Sequence, residues 1–307
     1  MKNTINFYYN IFLDELIKKD NCYYFYYGGD EYYFVPLNRP YDDVQSIYKL
    51  NLEMKKRRCL VHELVLNKDK SIITIVNGIS YVLIKLCKYK NDKVFLNDIN
   101  YIQNMTVNIE CDKSLVRNDW IKLWSEKIDY YEYQISQVGK KYPLLCDSLS
   151  YFIGMGENAI SYLVNNLDSK INVNLVVSHK RIYQERGSLN FYDPLNFVVD
   201  SRVRDVAEFI KETFYNKTLN LYDLKSYFNM TNLNKNEYIL LLGRLLFPTY
   251  YFDIYDDIIN KGKSEELVIN IIDRTDEYES LLNTIYKFIL YEKKARLEPI
   301  EWLQDKN

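Results

Sequence analysis

Apolar positions near the start of the chain recur every three or four residues. Ile5, Tyr8, Phe12 and Leu16 share one face, which predicts an amphipathic helix from Ile5 to Leu16. The pattern then changes. Tyr23 to Tyr27 and Tyr32 to Leu37 are aromatic runs flanking Gly28-Gly29-Asp30-Glu31, a hairpin signal. Asp42 and Asp43 open a helix that carries Val44, Ile47 and Met54 on one side, to about Arg58. Leu60 to Leu66 and Ile72 to Val76 read as strands joined by the polar turn Asn67-Lys68-Asp69-Lys70. Asn77-Gly78 is the strongest hairpin signal in the chain, because both residues tolerate the positive φ of a type I′ turn, and Ile79 to Leu86 is the returning strand. Residues 1–87 thus predict an antiparallel sheet with one inserted helix.

Beyond Lys88 the period becomes helical. Trp120, Trp124, Ile128, Tyr131, Ile135 and Val138 step by three and four until Gly139 and Pro143 stop the helix. A second helix is predicted over Cys146 to Leu167. Leu175-Val176-Val177 and Phe197-Val198-Val199 suggest a small strand pair. Helices then return over Val203 to Phe214, Leu219 to Phe228, Asn234 to about Ile259 and Asp276 to Glu292. The fold class is α+β: a β-rich lobe over 1–87 and a larger helical lobe over 88–307.

Composition narrows the function more than it names it. Forty basic against 42 acidic residues give a net charge of -2, which offers no field for nucleic acid or an anionic membrane. Thirty-one tyrosines are the compositional outlier, and an AT-rich genome explains them more simply than an adhesive surface does. The five cysteines lie no closer than 24 residues apart, so they read as free, mostly buried thiols in a reducing compartment. Asp14 and Glu15 interrupt any apolar leader, and Arg244 and Pro248 interrupt the longest apolar-rich region, Tyr238 to Phe252. A cytoplasmic protein is expected.

Several motifs dissolve on inspection. Gly154-x-Gly156-x-x-Ala159 matches a dinucleotide fingerprint, but the next strand ends Val177-Ser178-His179 with no carboxylate for a ribose, so close packing inside a helix explains it better. His62-Glu63 has Leu66 where a second zinc-binding histidine belongs. No G-x-S-x-G elbow and no Walker A loop occurs. What remains is His179-Lys180-Arg181 through Asp193 to Asp200, an acid ending a short strand past a histidine-bearing loop. On the residues alone, a strand-end Asp that caps the next helix explains Asp200 better.

The runs Trp124-x-x-x-Ile128-Asp129-Tyr130-Tyr131-Glu132, Ser148 to Ile160, Arg204-Asp205-Val206-Ala207-Glu208-Phe209-Ile210 and Gly243-Arg244-Leu245-Leu246-Phe247-Pro248 carry a resemblance. The chain resembles the CotS-like, spore-coat-associated kinase-like proteins of Firmicutes, within the aminoglycoside phosphotransferase and choline kinase-like superfamily. The resemblance implies a protein kinase-like, two-lobed fold with a hinge near Lys85 to Lys90. It places His179 on the motif histidine, Arg181 on the catalytic base, Arg186 on the metal-binding Asn, Asp200 on the metal-binding strand end and Asp205 on the aspartate that starts the next helix. Arginine takes no proton from a hydroxyl at neutral pH. No lysine occurs from Asn21 to Pro40 to pair with phosphate or with Glu53.

The reading is therefore a pseudokinase: a scaffold or binding protein of spore coat assembly, in the mother cell or coat, with a protein partner and no expected cofactor. The alternative is an atypical ATP-dependent small-molecule phosphotransferase that uses ATP, Mg²⁺ on Asp200 and a base such as Asp193. A second alternative is a non-catalytic ligand-binding protein that uses the interlobe cleft. His179, Lys180, Arg181 and Arg186 are the candidate donors to an anion or acidic peptide. The sequence leaves the oligomeric state open.

Overall fold

In the computed structural model, which describes residues 1–185 and 187–304, the chain opens with α1 (Lys2–Tyr9). Asn10 ends it at φ 52°, in the left-handed region that Asn tolerates. The helix therefore stops well short of Leu16. Phe12 stays exposed, while Ile5, Ile11 and Leu13 join Phe25, Phe34, Tyr81 and Leu83 in one core cluster.

Six antiparallel strands follow: β1 (Ile17–Lys19), β2 (Cys22–Tyr27), β3 (Asp30–Pro36), β4 (Glu63–Val65), β5 (Ile73–Val76) and β6 (Ile79–Lys85). The order is β1-β2-β3-β6-β4, and β5 also pairs with β6. Gly28 and Gly29, at φ 59° and 81°, turn β2 into β3, and Asn77-Gly78, at 51° and 79°, turn β5 into β6. Val82, Leu83 and Ile84 are all fully buried, so alternation along β6 requires cover on both faces of the sheet. The edge strand β1 escapes sequence reading because Ile17, Lys18 and Lys19 are all exposed and alternate nothing.

The inserted helix α2 (Tyr41–Lys56) buries Val44, Ile47, Leu50 and Met54, and Asp42 and Asp43 sit in its first turn. Its Asn51 reaches across to the β4 segment, accepting from Leu64 N–H at 3.1 Å and donating to the His62 carbonyl at 2.8 Å. After β6 comes α3 (Leu96–Met105).

The chain continues as α4 (Trp120–Val138), α5 (Pro143–Asn166), β7 (Leu175–His179), the short α6 (Gly187–Phe191) and β8 (Phe197–Ser201). Next come α7 (Val203–Tyr215), α8 (Leu221–Met230), α9 (Lys235–Leu246), α10 (Thr249–Lys261), α11 (Ile269–Ile272), α12 (Thr275–Lys287) and α13 (Glu301–Gln304). The single helix expected from Asn234 to Ile259 is two. Pro248 brings no N–H and forces Phe247 to an extended ψ of 121°, which ends α9.

Two compact units result: Met1–Val116 with Leu175–Asp200, and Arg117–Asn174 with the chain from Ser201 onward. The strand pair β7 and β8 belongs to the first of these units for a physical reason. Val177 N–H donates to Thr106 Oγ1 at 3.0 Å, Asn108 N–H donates to the Leu175 carbonyl at 3.0 Å, and Val116 bridges Val199. These bonds hold β7 and β8 to the sheet-bearing part of the chain.

Gly154 and Gly156 both lie inside α5, but only Gly156 is held to its size by packing, since a Cβ on Gly154 would meet nothing within 4 Å. A Cβ on Gly156 would stand 2.9 Å from Ile128 Cδ1 of α4. Gly243 of α9 is tighter still against α5: its Cβ would stand 2.4 Å from Leu163 Cδ2, and Leu163 is fully buried with nowhere to swing. Gly243→Ala is expected to cost ~1–3 kcal/mol as overpacking, read as a lowered urea midpoint with an unchanged slope.

Candidate functional site

β7 delivers His179 and β8 delivers Asp200, with residues 180–196 between them. His179 is fully buried. Its ring stacks on Phe191 at 4.3 Å and meets Phe197 edge-on at 5.2 Å, and Nε2–H donates to the Phe191 carbonyl at 2.7 Å. The loop beyond it is knotted to the foot of β8. Lys180 N–H donates to the Asn196 carbonyl at 2.8 Å, and the Asn196 amide donates to the Arg181 carbonyl at 3.0 Å. Arg181 turns one guanidinium N–H back to the Lys180 carbonyl at 2.8 Å.

Asp193 accepts from Leu195 N–H at 2.8 Å. Burial pushes its carboxyl up to about 6, against that hydrogen bond and the charges of Arg39 and His179. Arg39, between β3 and α2, is itself buried; it donates to the Phe197 carbonyl and pairs with Asp43 at 3.7 Å. Asp200 is fully buried. Asp205 lies buried in the first turn of α7, where its charge suits the helix dipole.

Where β6 ends, the segment from Leu86 to Asp92 borders a cavity of about 270 Å³ lined also by Tyr24, Glu31, His62 and Ser188. His62 is its post. Nδ1 accepts from Cys87 N–H at 3.1 Å and Nε2–H donates to the Leu189 carbonyl at 3.2 Å, so the partners fix the neutral Nε2–H tautomer. Burial pushes its pKa down to about 4. Glu31 pairs with Lys90, and Lys85 pairs with Asp30 at 2.5 Å. Glu53 of α2 pairs with Lys56 at 2.9 Å and lies 4.0 Å from Arg57, both on its own stretch of chain.

Of the expected donors, His179 is fully buried against Phe191 and Phe197. Lys180 and Arg181 are partly exposed, and Arg186 lies outside the described residues. The thiols are less buried than expected: Cys59 alone is buried, Cys22, Cys87 and Cys111 are intermediate, and Cys146 is exposed. Sequence reasoning missed Arg39, His62, Gln184 and Ser188. Only His62 carried a signal, as one of two histidines in the chain.

A β-rich unit with one inserted helix, a strand-end cavity and a His-to-Asp strand pair is the plan of a kinase-like fold. A family model described as "Spore coat putative kinase YutH" matches residues 2–285. The chain belongs to that family. Endospore coat-associated protein YutH of Bacillus subtilis is 30% identical over 207 residues, 60% of this chain and 61% of that protein. The match thus spans about three fifths of that curated relative's length.

Among solved structures, an aminoglycoside phosphotransferase from Alicyclobacillus acidocaldarius superposes with a TM-score of 0.59 at 10% identity, covering 92% of this chain and 94% of that one. A spectinomycin phosphotransferase gives 0.57 at 10% identity, covering 86% and 89%. A choline/ethanolamine kinase family protein from Mesorhizobium loti gives 0.52 at 10% identity, covering 87% of each chain. These likenesses show the kinase-like α+β fold. No helix among the described residues is long and apolar enough to cross a membrane.

Proposed function

We propose that this YutH-family chain is a kinase-like protein without phosphoryl-transfer chemistry, acting as a binding or scaffold protein in spore coat assembly. The observation that carries the reading is Arg181. It stands where the resemblance puts the catalytic base, and its guanidinium is a permanent cation that donates to the Lys180 carbonyl. Two features of the β-rich unit also weigh against Mg²⁺-ATP. β3 brings no lysine, and Glu53 is engaged with Lys56 and Arg57. Among the described residues no three His, Cys, Asp or Glu side chains converge to hold a metal.

The phosphotransferase reading has one observation in its favour. An aspartate pushed up to about 6, as Asp193 is, is matched to accepting a proton near neutrality. One experiment separates the two. ATP with Mg²⁺ is expected to leave the melting midpoint unmoved and to show no turnover, since a ligand of the folded state alone must raise the midpoint. Turnover that disappears in both Asp193→Asn and Asp200→Ala establishes the enzyme instead.

A further inference from the structure

The 270 Å³ cavity at the end of β6 lies within the first compact unit and is open to solvent. Its lining divides by chemistry. Tyr24, Leu86, Tyr89 and Leu189 bring rings and apolar carbon, and Glu31, Lys90 and Asp92 bring charge. The walls are held in place. Ser188 N–H donates to the Asn91 carbonyl at 2.8 Å, and Asn91 N–H donates to Ser188 Oγ at 2.9 Å. The Gln184 side-chain amide accepts from Val94 N–H and donates to its carbonyl, both at 3.3 Å. Tyr24 stacks on Tyr33 at 4.3 Å, and Tyr89 meets Tyr192 edge-on at 5.6 Å while its hydroxyl donates to Asp98 at 3.2 Å. A ligand entering here meets side chains already fixed, so little further ordering opposes binding.

The charge is lopsided. Two carboxylates, Glu31 and Asp92, stand in the lining with one ammonium, Lys90, and His62 is held neutral by its bonds to Cys87 and Leu189. Lys88 and Lys93 are exposed and lie outside the lining. The Glu31 side chain is 20% exposed and that of Lys90 66%, so the carboxylate belongs to the wall and the ammonium reaches it from water. Glu31 Oε2 is buried, and pairing with Lys90 leaves it without a directed hydrogen bond. So exposed a pair is worth little by itself. We propose that the cavity binds a small aromatic amine as its cation, with the ring against the Tyr24, Leu86 and Tyr89 side and the ammonium on Glu31 in place of Lys90. An excess of carboxylates also disfavours the phosphates of a nucleotide. The proposal rests on the reading of the chain as a non-catalytic binding protein and gives that reading a ligand class.

Tyramine is the probe. It is titrated by calorimetry into the whole chain, beside hydroxyphenylacetate and tyrosol, which carry the same ring with an anionic and a neutral tail. Tyramine is expected to bind about tenfold or more tightly than either, as a hydrogen bond to a charged partner predicts. Glu31→Gln is expected to weaken tyramine by a similar factor. Lys90→Ala is expected to tighten it several-fold, because the competing ammonium is gone, whereas a ligand held by Lys90 would be lost. Equal binding of the three compounds, preference for hydroxyphenylacetate, or weaker tyramine binding in Lys90→Ala overturns the proposal. The comparison of the three compounds uses the wild-type chain and stands whether or not either variant folds. ATP turnover overturns the non-catalytic reading, and failure of tyramine to bind, without turnover, overturns the cation site alone.

Discussion

Glu208→Ala is expected to cost the fold ~3–5 kcal/mol, a large part of the 5–15 kcal/mol or so that holds a typical domain. Glu208 on α7 accepts from Arg244 Nε of α9 at 2.9 Å, with side-chain exposures of only 6% and 3%. The Arg244 guanidinium lies over Trp120 at 4.8 Å, and Lys211 approaches Glu208 to 4.0 Å. Removing the carboxylate takes the Glu208 charge away from two buried cations, and breaking one side of a buried ion pair costs more than the net worth of the pair. Glu208→Gln, which keeps a carbonyl oxygen for Arg244, is expected to lose less. Urea unfolding of the three proteins checks the order. A loss below ~1 kcal/mol for the alanine variant contradicts the argument. Two of the four runs that carried the family resemblance, Arg204 to Ile210 and Gly243 to Pro248, thus meet at this pair, and it packs α7 to α9.

Stability is also expected to fall with acidification through His62. Its folded pKa, about 4, lies below the ordinary 6.5, so between these values the unfolded chain binds the proton and the folded chain does not. The contribution is fully present above pH 6.5 and disappears as pH falls to 4, a loss of ~3 kcal/mol at ~1.4 kcal/mol per pKa unit. Protonation also puts a hydrogen on Nδ1, the atom that accepts from Cys87 N–H. Asp193 works in the opposite sense. Its raised pKa, about 6, favours the folded state at low pH and loses that contribution as pH rises through 6. The total pH profile therefore mixes the two, and the difference between wild type and His62→Gln isolates the histidine. That difference is expected to shrink from pH 7 to pH 4, and a constant difference shows that His62 is already charged in the folded protein.

The amphipathic periods and turn residues of this chain marked many of its helices and hairpins, though not β1 or α3. Gly28-Gly29 and Asn77-Gly78 mark their hairpins because positive φ is a property of those residues themselves. The steps of three and four from Trp120 to Val138 mark α4 because a helix buries one face whatever it packs on. Where the reading overran, a single backbone residue decided against the pattern: Asn10 ended α1 and Pro248 divided the helix expected to reach Ile259. The absence of a lysine in β3 and the presence of Arg181 were likewise legible, since residue type alone excludes a role as phosphate partner or base.

Long-range placement was not legible. Nothing in the local pattern around His62 says that its two nitrogens meet Cys87 and Leu189, 25 and 127 residues away. Equally, His179 looked like a loop donor until Phe191 and Phe197 closed over it. The same holds for Gly187, which is an ordinary loop glycine in sequence and acquires its necessity from the backbone of Asn91 to Lys93. The sequence by itself determined most of the local helix and strand pattern and which residue type stands at each position, because both follow from single residues and their near neighbours. Only the tertiary structure decided which polar groups are buried, which partners they find and which segments bind each other, because those depend on contacts between residues far apart in the chain.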